Sequence, residues 1–586
     1  MNGLADAASL WGIEPDYFDV FGRRHRVSEE ALARLIEAMR IAGVEPRPIE
    51  PATSPLAAYP GDGRRYWALA VQLYSVHSRR NWGIGDFTDL ACLVDLAAAR
   101  GAAAVGLNPL HALFIDRPDH ASPYAPNSRL FLNPLYIDVD AVPEFPGRSA
   151  RLNAEIAALC ATERVAYARV AEIKLEALRT AHKAFRAYAS NARRTDFSAY
   201  RAEQGESLLR FACFEVLRRR YAPAPWWDWP LRWRHPERRQ LEEFRRTEDE
   251  ACEFHEFLQW IADRQLASCA ETARRRGMPI GLYTDLAIGI DPSGADAWSE
   301  QKSVLHAVTI GAPPDEFNPA GQNWGLAYFN PHALPKDDFA VVRRLMRAAM
   351  RHAGAVRLDH VLGLKRIFMI PAASSACDGA YVRFPFAEQL RTIAEESRRA
   401  RCIVIGEDLG TVPDDFRTTV GRWGLWSSRV MLFEREHDGR FRSPHAYPEQ
   451  AIASFATHDL PTYRSWTTAY DLQIKRELGL DPGEDHESRA RAQQCLRDAL
   501  AQFSSASHAD DVTAVAAFLA ATPCRLVAIS VEDVLGLSDP INIPGTTTQY
   551  PNWRHKLPLA LEDFYEHAGL CRIADVFARA GRAIAK

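Results

Sequence analysis

Short apolar runs alternate with longer segments of helical periodicity over most of the chain. The apolar run at 66–74 is followed by a helical pattern at 88–100 and by a second apolar run at 103–107. This succession of strand, helix and strand is typical of a parallel sheet. We count eight strand candidates, at 66–74, 103–107, 278–285, 354–363, 403–408, 429–433, 452–459 and 525–530. The pattern predicts an α/β fold, a (β/α)8 TIM barrel.

The remaining segments predict how the chain is divided. Residues 1–45 have a helical pattern and predict a short N-terminal extension, and 46–65 are rich in proline and small residues, as in a linker. We expect the catalytic barrel to occupy 66–586 and to include an inserted helical subdomain at 149–276, so that its large insertions are mainly helical. The tryptophans at 226–233 are left out of the candidate site, because tryptophan more often packs between helices than binds sugar rings.

Acidic residues follow three of the predicted strands at their carboxyl ends. They are Asp359, Glu407 and Asp459. Catalytic residues of a (β/α)8 barrel lie at this face and come from several strands, so the three acids predict a carboxylate active site. The alternative is that they form ion pairs on the rim, which stays open for each acid alone but is the weaker interpretation for all three.

Carboxylates on one rim suit glycoside chemistry, in which one attacks the anomeric carbon and another protonates the leaving oxygen. Asp359 is the better nucleophile, because Arg357 on the same face of the strand favours its charged form. Glu407 ends an apolar strand, so we expect partial desolvation to keep its pKa high enough for acid and base catalysis. Asp459, beside His458, is suited to holding substrate hydroxyls.

Two segments rich in proline, glycine or asparagine interrupt the barrel pattern, at 109–134 and 308–331. Long loops inside a compact domain are usually functional, and the second is a candidate active-site loop. The alternative for the first is a surface loop without a role. Asp285 ends the third strand and shares a face with Tyr283.

Composition and net charge give no reason to expect nucleic acid or a membrane as a partner. The 586 residues carry a net charge of -4 and are 47% hydrophobic and 25% charged, an ordinary globular balance. Neither nucleic acid nor a membrane is expected as a partner. The ten cysteines are scattered without metal-ligand spacing and no signal-peptide pattern is evident, so we expect a cytoplasmic enzyme without a metal.

Three motifs resemble those of a known family: VRLDH at 356–360, IGEDLGTVP at 405–413 and ATHDLPT at 456–462. They look like the nucleophile, acid/base and third-acid segments of the 4-α-glucanotransferases (amylomaltases or disproportionating enzymes), glycoside hydrolase family 77. The segment 122–134 resembles the family's donor-side loop, and 311–325, with a GQ-x-WG signature, resembles its acceptor-side loop. The resemblance extends over roughly residues 66–570 with the motifs in the same order.

The resemblance implies retaining transfer of part of a 1,4-α-glucan to the 4-hydroxyl of another glucan or glucose. Asp359 would form a covalent glucosyl ester, Glu407 would act as acid and base, and Asp459 would be the third acid. Tyr124 would stack on the donor sugar. Further contacts with the sugars around the cleavage point would come from Asp285, Trp324, Arg357 and His458. Maltooligosaccharides are the expected partners, and no cofactor is implied.

The chain departs from the family pattern in two places. Many bacterial relatives carry extra β-domain sequence where this chain has the linker, so their preference for long or branched glucans is not carried over. No acceptor role is carried over to Glu316, Asn318 or Pro319 either. Two other functions stay open: a hydrolytic α-glucanase would use the same acids, and a catalytically silent glucan-binding or regulatory protein could share the scaffold, although it would not need all three.

Overall fold

Eight parallel strands form a closed barrel in the computed structural model, which describes residues 2–18, 23–40, 44–47, 56–314, 321–410, 412–503 and 512–585. The strands are β1 (Tyr66–Val71), β2 (Ala104–Leu107), β3 (Gly281–Leu286), β4 (Ala355–Leu358), β5 (Ile403–Gly406), β6 (Trp426–Val430), β7 (Ala451–Ser454) and β8 (Leu526–Ser530). Each pairs with its neighbours in sequence, and β8 pairs with β1. The predicted (β/α)8 fold is confirmed. Strand β6 starts before the predicted 429–433, where polar residues at 427–429 interrupt the apolar pattern, and it ends at Val430 because Met431–Phe433 forms a short 3-10 helix.

Packing inside the barrel leads directly to the site. One buried cluster fills the interior, including Ala68, Ala355, Ile403, Ile405 and Leu526. Since alternate residues of a strand share a face, the inward face of β4 continues from Ala355 to Arg357 and that of β5 from Ile405 to Glu407. The helices that lie between and after the strands in the chain include Phe87–Ala99, Ala340–Met350, Phe386–Ala400, Phe416–Arg422, Tyr463–Thr468, Tyr470–Glu477, His486–Leu500, Val512–Ala520 and Ala568–Arg579.

A helical subdomain lies between β2 and β3. Its helices are Ala150–Cys160, Tyr167–Tyr188, Asn191–Tyr221, Leu231–Arg234, Arg238–Thr247 and Asp249–Arg275. Before it, His111–Ala112 and Ser128–Leu132 pair as a two-stranded ribbon inside the predicted loop. Trp226, Trp229 and Trp233 are buried, as expected for packing residues, whereas Trp227 is 43% exposed.

A four-stranded antiparallel sheet is the main element that the sequence pattern did not predict. Its strands are, in spatial order, Ala380–Arg383, Arg366–Pro371, Val304–Ala312 and Gln322–Phe329. Much of the predicted loop 308–331 is therefore strand, and Glu316, Asn318 and Pro319 lie outside the described residues. A Cβ on Gly311 would lie 1.9 Å from the carbonyl oxygen of Gln322, so the glycine there permits close strand pairing rather than marking a loop.

The N-terminal extension packs on this sheet. It contains the helices Asn2–Leu10 and Glu29–Met39 and also a small antiparallel pair, Asp16–Phe18 with Arg24–Arg26, whose three-residue strands are too short to show a periodic pattern. The backbone N–H of Glu14 donates to Tyr381 (2.8 Å) and that of Arg383 donates to Gly12 (2.9 Å). Residues 19–22 and 41–43 of the extension and 48–55 of the linker lie outside the described part.

Candidate active site

Strand pairing brings the residues at the carboxyl ends of β3, β4 and β5 together. Arg357 lies directly beside Asp285 in the register of β4 and β3. Beyond the strands, the Asp359 N–H donates to Leu286 (3.1 Å) and the Glu407 N–H donates to Leu358 (3.0 Å). The hydrogen-bonding pattern therefore extends by one residue, which places the two acids on adjacent strand ends.

Arg357 joins two carboxylates. Its guanidinium donates to both oxygens of Asp285 at 2.8 Å and forms an ion pair with Asp359 at 3.1 Å. Burial lowers the pKa of Arg357, but the surrounding carboxylates raise it by more than burial lowers it. The guanidinium is therefore a permanent cation. A buried guanidinium in this position orients both acids and offsets part of their charge.

Burial and charge act in opposite directions on Asp359. Burial raises the pKa of its carboxyl group, Arg357 lowers it, and the balance lies at about 6. Arg357 thus favours the charged form of this acid, as predicted, but desolvation is the larger effect and leaves the pKa above its usual value. The backbone N–H of Ile288 also donates to Asp359 Oδ2, at 3.4 Å.

Glu407 is held by two backbone groups. The N–H of His360 donates to Oε2 and the N–H of Leu409 donates to Oε1, both at 2.9 Å. Burial nevertheless raises its pKa, as expected for a carboxyl group at the end of an apolar strand. His360 has a φ of 44°, in the left-handed region, and this turn aims its N–H at the carboxylate.

Asp459 is the most accessible of the three acids, with 45% of its side chain exposed. Desolvation raises its pKa, but His458, whose Nε2 lies 3.2 Å from Oδ2, and Asn542, which donates to Oδ1 at 2.6 Å, lower it to about 2. In return, burial lowers the pKa of His458 and Asp459 raises it above its usual value. The arrangement favours an imidazolium–carboxylate pair.

An aromatic stack lies next to this pair. The rings of Tyr124 and His458 stack at 4.8 Å, and the ring of Trp553 packs 5.5 Å from the first and 5.3 Å from the second. The Tyr124 hydroxyl donates to Asp285 at 2.6 Å. The stack therefore links the carboxyl end of β3 to that of β7.

Trp324 approaches from the antiparallel sheet. Its indole packs edge-on against the ring of His360 at 5.3 Å, and its N–H donates to Gln322 at 3.1 Å. All eight residues predicted from the sequence thus belong to one chain of contacts, directly or through His360. They are Tyr124, Asp285, Trp324, Arg357, Asp359, Glu407, His458 and Asp459.

Three residues of the site were missed by sequence reasoning. His111 accepts the N–H of Ala287 at 3.2 Å, and burial lowers its pKa to about 3, so it stays neutral and fixes the turn after β3. Asn542 and Trp553 lie in the segment that follows β8. The dense Pro, Gly and Asn of 540–553 was the available signal for a functional loop.

Asp408, which is next to Glu407 in the sequence, has a structural role. It is buried and accepts from the Ser427 hydroxyl (2.8 Å), the Ser428 N–H (2.9 Å) and the Arg417 guanidinium (2.8 Å). The bonds to the two serines join the end of β5 to β6. They leave Glu407 as the acid of this pair that faces the site.

The site contains carboxyl groups in different states beside one fixed cation. Asp459 is firmly ionised, whereas Asp359 and Glu407 titrate at raised pKa values. Such a set can supply a nucleophile and a proton donor for glycoside chemistry. Among the described residues, no group of His, Cys, Asp and Glu has the arrangement of a metal site, and no helix is both long and apolar enough to cross a bilayer.

Comparison with known sequences relates most of the chain to one family. A family model described as 4-alpha-glucanotransferase matches residues 71–561. The 4-alpha-glucanotransferase of Mycobacterium tuberculosis (strain ATCC 25618 / H37Rv) is 37% identical over 545 residues, covering 88% of this chain and 75% of the relative. That of Haemophilus influenzae is 35% identical over 544 residues, covering 87% and 78%.

Solved structures share the fold. Amylomaltase from Corynebacterium glutamicum aligns with a TM-score of 0.85 and 25% identity, over 98% of this chain and 99% of that one. Amylomaltase from Streptococcus agalactiae in complex with acarbose aligns with a TM-score of 0.72 and 20% identity, over 89% and 100%.

Proposed function

The chain belongs to glycoside hydrolase family 77, the 4-alpha-glucanotransferases, and from this premise we propose that Asp359, Glu407 and Asp459 are its catalytic acids. Members of the family transfer segments of 1,4-α-glucans with retention of configuration. The observation that supports the assignment is the convergence of three acids from β4, β5 and β7 on one rim, with Arg357 between Asp285 and Asp359.

In the proposed first step, a carboxylate oxygen of Asp359 attacks the anomeric carbon of a glucose unit. The glycosidic bond breaks, and its oxygen takes the proton of Glu407 and leaves as the 4-hydroxyl of the released glucan. The raised pKa of Glu407 supports this role, because burial favours the protonated form of its carboxyl group.

In the second step, the 4-hydroxyl of an acceptor glucan attacks the anomeric carbon of the glucosyl ester. Ionised Glu407 takes the proton of that hydroxyl, and the bond to Asp359 breaks. Both steps use only side chains of this protein and a maltooligosaccharide donor and acceptor.

The other predicted residues have binding roles in this proposal. Asp459 and His458 hold sugar hydroxyls at the cleaved unit, and their low and raised pKa values support a charged pair there. Asp285, Arg357 and Tyr124 contact the donor side. Trp324, on the antiparallel sheet beside His360, contacts the acceptor side.

We also infer a cytoplasmic location. All ten cysteines are free thiols, which is typical of a reducing compartment.

Incubation with maltotriose tests the proposed function. We expect glucose and a ladder of longer maltooligosaccharides from the wild type. Asp359→Asn should lower the rate by at least about a thousandfold, because the residue that forms the ester is lost. The products are followed by chromatography with a separate assay for free glucose.

Asp415→Asn is the matched control, because Asp415 is an exposed aspartate paired with Lys365 outside the site. It should retain wild-type activity. Glucose and maltose without longer products would assign hydrolysis instead of transfer. Full activity of Asp359→Asn would refute the assignment of the nucleophile, and an inactive wild type that still binds maltotriose would favour a silent binding protein.

A further inference from the structure

Two residues of the site, His360 and Trp553, have a positive backbone φ. Among the described residues, seven other than glycine have a positive φ: Asp338, Phe339, His360, Ala373, Arg401, Ala469 and Trp553. Asp338, Phe339, Arg401 and Ala469 lie at helix ends, where the left-handed conformation is common. Trp553, at φ 60°, is not at the end of a helix. A bulky residue is uncommon in this conformation, which costs free energy.

The strained residue is buried against the site. Trp553 is 3% exposed, and its indole ring packs against both members of the Tyr124–His458 stack. Those two rings carry polar groups aimed in different directions. The Tyr124 hydroxyl donates to Asp285, and His458 Nε2 faces Asp459. A displacement of either ring would therefore break a contact with an acid.

The backbone around Trp553 is held from two sides. Its N–H donates to Ile541 at 3.1 Å, which closes the loop that carries Asn542. Its carbonyl oxygen accepts from the Tyr167 hydroxyl at 2.8 Å. The carbonyl oxygen of the next residue, Arg554, accepts the N–H of Val165 at 2.8 Å. The helical subdomain thus holds Trp553 in the conformation that its backbone disfavours.

We propose that Trp553 is a positioning residue for the transfer reaction, which fixes the positions of the Tyr124 and His458 rings and through them their contacts with Asp285 and Asp459. The inference rests on the proposed function of the site. An unstrained backbone at Trp553 would move the indole away from both rings. The strained conformation therefore keeps Tyr124 and His458 in contact with their acids.

The test compares Trp553→Phe and Trp553→Tyr with Trp423→Phe in the full-length enzyme. Trp423 is equally buried but ends the helix Phe416–Arg422, just before β6 and therefore away from the rim of the acids. With maltotriose, kcat of the Trp553 variants should fall by about ten- to a hundredfold with little change in KM, as expected when reacting groups are misplaced. Trp423→Phe should lower Tm similarly and leave kcat within about twofold.

A double-mutant cycle separates positioning from packing. If Trp553 acts through the Tyr124 ring, Trp553→Phe should reduce kcat less in a Tyr124→Phe background than in the wild type. Equal reductions in both backgrounds, a kcat like that of Trp423→Phe, or failure of both Trp553 variants to fold would each overturn the proposal and assign Trp553 to the fold alone. An inactive wild type would instead refute the proposed function.

Discussion

The three acids of the rim differ in pKa because they differ in burial and in their partners, although each follows the end of an apolar strand. Asp459 has two partners, His458 and Asn542, which outweigh desolvation and keep its pKa at about 2. For Asp359, the charge of Arg357 does not outweigh burial. For Glu407, neither Arg357 nor the two backbone N–H groups outweigh it. At the residue scale, the pKa of each carboxyl group is thus set by whether its partners outweigh its desolvation.

Asp359→Asn should stabilise the protein at neutral pH. A rise of the carboxyl pKa from 3.8 to about 6 in the folded state corresponds to about 3 kcal/mol of destabilisation once the group is ionised. Because the folded pKa is raised, this loss of stability sets in as the pH rises from about 4 to 6 and is complete above it. Asparagine carries no charge to ionise, so the variant avoids the loss.

Thermal unfolding at pH 7.5 and pH 4.5 checks this expectation. The Tm of Asp359→Asn should exceed that of the wild type at pH 7.5, and the difference should shrink at pH 4.5. Asp415→Asn, which removes an exposed partner of Lys365, should show no such gain. A variant less stable than the wild type at pH 7.5 would contradict a destabilising charge on Asp359.

At the scale of elements, the end of β5 depends on close packing with the turn after β4. A Cβ on Gly406 would lie 2.8 Å from Val361 Cγ1, too close for any real contact. The Val361 N–H donates to the carbonyl oxygen of Glu407 (3.0 Å), and the preceding N–H, of His360, donates to its carboxylate. Gly406 therefore permits the approach that holds Glu407.

Gly406→Ala should lower kcat by about tenfold or more, because Val361 and the adjoining His360 N–H must shift away from Glu407. The matched change is Gly421→Ala inside the helix Phe416–Arg422, where a Cβ would meet nothing within 4 Å. That variant should be as active as the wild type and more stable by about 0.5–1 kcal/mol. Steady-state kinetics and Tm distinguish the two. Unchanged kcat in Gly406→Ala would show that Glu407 tolerates displacement.

The elements differ in how well their patterns predicted them. All eight barrel strands were predicted, since most of them are apolar runs bounded by loops, but β6 was placed three residues late because it contains two serines and an arginine. The antiparallel sheet was missed, because Gly311 and Asn323 in its strands resemble loop residues. Pairing between strands far apart in sequence, such as Arg366–Pro371 with Val304–Ala312, leaves no local signal.

At the scale of the whole molecule, the N-terminal extension completes the core around the antiparallel sheet. Ile13, Tyr17 and Phe368 belong to one buried cluster that also includes β4 residues such as Val356. Trp11 packs edge-on against His332 at 5.2 Å, and its carbonyl oxygen lies 2.9 Å from His332 Nε2. The extension is therefore part of the same core as the strand that carries Arg357.

Trp11→Ala should destabilise the protein by about 3–5 kcal/mol, because it leaves a cavity where a large side chain is 4% exposed. Leu10→Ala is the adjacent control, since Leu10 is 58% exposed and should cost less than about 0.5 kcal/mol. Denaturant unfolding measures both. Equal stability of the two variants would mean that the extension does not contribute to the core.

The sequence by itself determined the order of the barrel strands, the placement of three acids at their carboxyl ends and the family motifs around Asp359, Glu407 and Asp459. These depend on periodicity and on neighbours within a few residues. Only the tertiary structure decided that Asp359 titrates at about 6, that Asn542 and Trp553 join the site, and that the extension and the antiparallel sheet share a core. Burial and contacts between segments far apart in the sequence control these features, because desolvation and ring packing arise only when the chain is folded.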